Sequence, residues 1–88
     1  MIVAGERLML RPSFEALVRA EEELGPLFAL VERAADGGLK LSEMTALFWH
    51  CSGAAVERER IGAAITEAGL AKMTPILKVL LTQILQGR

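Results

Sequence analysis

The sequence predicts a mainly α fold, about five short helices packed around one core behind a small N-terminal β-hairpin or strand. Three observations carry that prediction. Apolar residues recur at helical spacing in five segments, Gly and Pro punctuate the gaps between them, and period-2 alternation occurs only near the start. The chain has 88 residues, which supports a single domain over 1–88, with residues 1–11 as the β element and 12–88 as a helical bundle.

Residues 2–11 read as a hairpin turning near Ala4-Gly5-Glu6, because Leu8 and Leu10 alternate with Arg7, Met9 and Arg11. Two strands alone are marginal, so this piece must lean on the helices. Pro12-Ser13 opens the first helix with Ser13 as N-cap, and Phe14, Leu17, Val18 and Leu24 share a face while Glu22 and Glu23 point away. Gly25 ends that helix and Pro26 starts the next. Leu27, Leu30, Val31 and Ala34 continue it until Asp36-Gly37-Gly38. A third helix runs from about Ser42, a suitable cap, to about Ser52. Residues 53–56 read equally as loop or helical extension. Ile61, Ala64, Ile65 and Ala68 mark a fourth helix stopped by Gly69, and a fifth begins between Leu70 and Pro75, with Thr74-Pro75 as N-cap and N1.

The stretch "LFWHCSG" holds the only tryptophan, histidine and cysteine of the chain. On a helix, Met44, Leu47, Phe48, Cys51 and Ala55 fall within about 100° of arc, an ordinary core stripe. Cys51 lies inside it, where a free cysteine acts as a small hydrophobe, and Phe48 anchors it. His50 projects about 100° away from Cys51, so the two do not converge on one ion. No second His or Cys completes a zinc site, and no third group orients a Cys-His or Ser-His pair. The stretch is not a chemical centre; no enzyme activity and no cofactor or metal is expected. Trp49 lies off the stripe, either packed against the terminal helix or hairpin, or presented as an aromatic anchor for a partner.

Two further features bear on function. Glu21 falls between Leu17 and Val18 on an apolar face, which fits either an exposed helix end or a carboxylate capping the turn at Gly25. In the last helix Ile76, Leu77, Leu80, Leu81, Ile84 and Leu85 cover about 180° of the wheel, with Val79 beyond them, more than one core needs. That surface is either contacted on both sides by its own domain or reserved in part for another chain.

Charge and hydropathy narrow the classes. The net charge is −1, and neither half is basic: five basic to seven acidic up to Lys40, five to four from Leu41 onward. "VERERIGAAITEAGLAKM" offers no basic face for a helix-turn-helix, so a small helical DNA-binding regulator is an alternative and nucleic acid is not the expected partner. No run of about 18 apolar residues and no basic-then-apolar leader occurs, so the expectation is a cytoplasmic protein without a membrane span. The chain is 52% hydrophobic with a mean hydropathy of +0.37. So much apolar surface on a short chain points to a partner or a homo-oligomer.

Taken in order, "RLMLRPSFEAL", "AEEELGPLFAL", "LFWHCSGA" and "IGAAITEAGLAKMTPILKVLL" resemble one family over nearly the whole chain. It is the small gene-transfer-agent and prophage family described as phage tail tube or tail assembly chaperone proteins. The most specific pieces are Pro12-Ser13-Phe14, Glu21 with Leu24-Gly25, and Glu67-Ala68-Gly69-Leu70. The resemblance implies a non-enzymatic role in tail morphogenesis in the cytoplasm of a bacterial host, or association with the virion. As an assembly chaperone the protein would bind the tape-measure protein, the tail-tube protein or both; as an alternative it would be a structural tail component. The expected partner-binding residues are Trp49, Ile76, Leu77, Val79, Leu80, Leu81 and Ile84, with Glu21, Gly25, Phe48, Cys51 and Gly69 structural.

Overall fold

The computed structural model describes residues 2–3, 6–7, 9–54 and 56–86. Five helices make up the described fold: α1 Phe14–Leu24, α2 Leu27–Ala35, α3 Leu41–Cys51, α4 Arg58–Ala68 and α5 Leu70–Gln86. The mainly α expectation is met. The β-hairpin is not supported as an element: its turn at Ala4-Gly5, and Met1 and Leu8, lie outside the described residues. What remains is Ile2–Val3 beside Glu6–Arg7, with Ile2 opposite Arg7 and Val3 opposite Glu6. Two such pairs are too few to stand as a layer of the fold.

The first three helices start where a free N–H group finds a side-chain acceptor. Ser13 caps α1, its hydroxyl accepting the Ala16 N–H at 3.2 Å. Gly25 closes α1 at φ +89°, donating its N–H to the Glu21 carbonyl at 2.9 Å. Only glycine adopts that backbone without strain. The Glu21 side chain, itself exposed, then accepts the Leu27 N–H at 3.1 Å, so it caps α2 at the helix end where negative charge is favoured.

The start of α3 corrects the expectation of a Ser42 cap. The helix begins at Leu41, and Glu43 Oε1 folds back to accept the Lys40 N–H at 2.9 Å. That contact satisfies a free donor one turn earlier, which leaves Ser42 exposed inside the first turn. Arg33 of α2 binds the other Glu43 oxygen and ties the two helices together. After Cys51 the chain turns through Gly53 and Ala54 at φ +79° and +57°, so this stretch is not an extension of α3. Ala55 lies outside the described residues.

The start of α5 falls at the early end of the expected range, at Leu70, and not at a Thr74 N-cap. Gly69, at φ +94°, breaks the chain, and its carbonyl accepts the N–H groups of Lys72 and Met73. Thus the helix is nucleated at Leu70 and Thr74 lies within it, donating its hydroxyl to the Leu70 carbonyl at 2.9 Å. Pro75 sits inside α5 on an exposed face, where it removes one hydrogen bond from the second turn and leaves the Ala71 carbonyl without its helical donor. At Gly69, α4 and α5 bend by 119°.

The core sits where α1 and α4 pack against α3, with α2 laid on α1 and α5 on α4. Phe48, Leu30, Leu47, Ile61 and Ile65 are wholly buried, with Cys51, Met73 and Leu80 beside them. Each large apolar side chain so enclosed contributes roughly 1.5–3 kcal/mol. The expected stripe on α3 therefore holds at Met44, Leu47, Phe48 and Cys51.

The expected face of α1 does not hold. Ala16 and Ala20 are its buried residues, with Leu17 and Leu24 half-buried, whereas Phe14 is 86% exposed and Val18 faces outward. Small side chains on this face let the α1 backbone approach α3 closely, and that contact outweighs the larger area of a single Phe. The rotation brings Glu23 inward toward α3 and α4, against the expectation that it points away.

Candidate functional site

Two surfaces hold the residues expected to act, and they are separate. The first is built around Trp49 at the C-terminal end of α3. Its indole N–H donates to the Val56 carbonyl at 2.7 Å, fixing the chain that leads into α4. Arg58 at the start of α4 lies over the ring, 4.4 Å from its centroid, a cation–π contact. His50 meets the ring edge-on at 4.9 Å. Trp49 is thus half-buried, with its polar edge and one face engaged within the chain.

Arg58 also binds Glu23 of α1 with both terminal nitrogens, at 2.6 and 2.9 Å. His50 Nε2 reaches the same carboxylate at 2.9 Å. Hydrogen bonds from Arg58 and then His50 hold the Glu23 carboxyl below its ordinary value, with partial burial opposing them. Glu23, His50 and Arg58 were not legible as partners in sequence: 27 and 35 residues separate the last two from Glu23. In sequence only His50 adjoins the single tryptophan; Arg58 reaches it through the fold.

Cys51, next in sequence, is 3% exposed, and burial pushes its thiol up to about 11. A thiol so protonated is a poor nucleophile and metal ligand. Among the described residues no three His, Cys, Asp or Glu side chains converge on a metal position.

The second surface is a groove of about 310 Å³ along α5, lined by Leu10, Pro75, Ile76, Val79, Leu80 and Gln83. None of these is charged. Val79 is 59% exposed, Ile76 is half-buried, and Leu80 closes the floor at 2% exposed. The remaining α5 candidates face inward: Leu77 is buried, and Leu81 and Ile84 pack partly against the core. Most of the apolar excess of α5 is therefore consumed inside the chain, and Trp49 does not line this groove. Leu10, Pro75 and Gln83 were not singled out in sequence, because a groove wall contributed from a segment over 60 positions away has no periodic signature.

This helical chain matches the family described as "Phage tail tube protein, GTA-gp10" over residues 1–87. No curated protein and no solved structure matches it. With a match that spans nearly the whole chain, the protein belongs to the gene-transfer-agent and phage tail tube family.

Proposed function

We propose that the protein is a non-enzymatic tail-morphogenesis factor that acts as an assembly chaperone in the cytoplasm of its bacterial host. It binds the tape-measure protein, the tail-tube protein or both through apolar helical surface and releases them as the tail polymerises. The observation that carries this reading is the helical architecture. A subunit that builds a tube wall from sheets needs long strands with free edges to pair, and the described residues hold only two segments of two residues each.

The α5 groove supports the same reading. It is uncharged and open, with one exposed aliphatic residue, Val79, at its lip. A contact of that size gives moderate affinity concentrated in few side chains, which suits a partner that must later be released.

The family description itself favours a second reading, a structural component of the tail. A tagged copy expressed in particle-producing cells separates the two. Recovery of tape-measure or tail-tube protein from the particle-free fraction, lost with Val79→Asp, supports the chaperone. Recovery of neither, with the wild-type chain soluble and folded, overturns it.

A further inference from the structure

On the opposite side of α4 from its core residues lies a larger groove, of about 820 Å³, between the end of α1, the start of α3 and α4 itself. Its floor on α4 is made of small residues, Gly62, Ala63 and Thr66, with the longer Arg58 and Glu59 before them and Glu67 after them. Leu24 of α1 and Leu41 of α3 form an apolar wall, and Leu41 is 44% exposed. The shape suits a helix: small side chains on one side let a second backbone approach, and aliphatic side chains on the other receive its apolar stripe.

The charge around this floor is one-sided. Glu23, Glu43, Glu59 and Glu67 line it against a single cation, Arg58. Two of the four carboxylates are already neutralised, Glu23 by Arg58 and Glu43 by Arg33. Glu59 and Glu67 are exposed and make no ion pair among the described residues. They flank Ala63 on one stripe of α4, eight positions apart, which at about 1.5 Å per residue separates them by about 12 Å along the axis.

We infer that this groove docks an amphipathic helix of another protein, one that carries two Lys or Arg side chains about two turns apart beside an apolar stripe. The stripe lies against Leu24, Leu41 and Ala63, and the two cations meet Glu59 and Glu67. An acidic helix is rejected by the same two carboxylates, so the site selects by charge as well as by shape. The groove is distinct from that of α5, and the inference does not depend on the chaperone role.

The test uses the full chain and two fluorescent helical peptides of about five turns, identical except for Lys or Glu at the two flanking positions. Anisotropy should show binding of the Lys peptide that weakens with added salt, and about tenfold weaker binding of the Glu peptide. Glu59→Lys with Glu67→Lys should reverse that preference, and Ala63→Trp, which fills the floor, should abolish binding of both. The single changes Glu59→Gln and Glu67→Gln, each at an exposed position, repeat the comparison if the double reversal does not fold. No binding of either peptide, equal affinity for both, or affinity unmoved by these substitutions overturns the inference. So does a concentration-dependent dimer of the chain that Glu59→Lys with Glu67→Lys dissociates, since the occupant would then be a second copy.

Discussion

Arg58 of α4 grips the Glu23 carboxylate of α1 with both terminal nitrogens, at 2.6 and 2.9 Å, while His50 of α3 shares one of its oxygens. One carboxylate thus ties α1 to α3 and α4, across 27 and 35 positions of sequence. The group is partly exposed, with about a third of the Glu23 side chain open to solvent, so its contribution is that of a well-formed surface network rather than a buried pair. Glu23→Gln should cost about 0.5–1 kcal/mol. Urea unfolding of Glu23→Gln, Arg58→Met and the double variant should show that the two losses do not add, because both remove the same contact.

The same contact predicts an acid limb. Glu23 titrates below its ordinary value of 4.5 in the folded state, so between the folded and unfolded values the unfolded chain binds more protons. Its contribution is complete above about 4.5 and is lost as pH falls through the folded value. The stability difference between wild type and Glu23→Gln should therefore shrink below pH 4.5. Glu43, lowered chiefly by the Lys40 N–H with Arg33 adding to it and burial opposing, should behave with the same sign in Glu43→Gln.

Three glycines predict opposite outcomes for one substitution. Gly25 and Gly69 stand at φ +89° and +94° with extended ψ, a region nearly closed to other residues, so alanine at either should cost about 1–3 kcal/mol. Gly62 is inside α4, and a Cβ there would meet Thr45 Cγ2 at an ordinary 3.5 Å. Gly62→Ala should stabilise the protein by about 0.5–1 kcal/mol through helix propensity. Thermal melts of the three variants check the sign of each.

Cys51 should be inert in the native chain. With its thiol raised from 9.0 to about 11, the thiolate fraction near neutral pH falls by about a hundredfold, before any loss of access is counted. Labelling with an aromatic disulfide should proceed only as fast as the protein opens, and at full rate in denaturant.

Much of the helical layout was legible because its signals are local. Ser13, Gly25 and Gly69 act on backbone groups a few residues away, and the α3 stripe from Met44 to Cys51 follows from 3.6-residue periodicity. The misreadings arose where a distant partner decided the outcome. Alanine faces on α1 were overlooked in favour of Phe14 and Val18, since periodicity weighs bulk and not closeness of approach. Glu23 reads with Glu22 as a solvated glutamate until α3 and α4 supply His50 and Arg58. At Ser42 and Thr74 a suitable cap residue is present, but Glu43 and Gly69 offer the backbone an earlier start, at Leu41 and Leu70. As for function, α5 was legible as unusually apolar, whereas the groove it shares with Leu10 required the fold.

As an assembly chaperone, the proposed role, the protein would serve tail assembly without remaining in the tail. Gradient fractionation of a particle-producing culture, with the chain quantified against a known tail protein in each fraction, tests it most directly. A chaperone should be found with soluble tape-measure or tail-tube protein and be depleted from finished particles. A fixed stoichiometric amount in purified, finished particles would contradict it and make the protein a structural part of the tail.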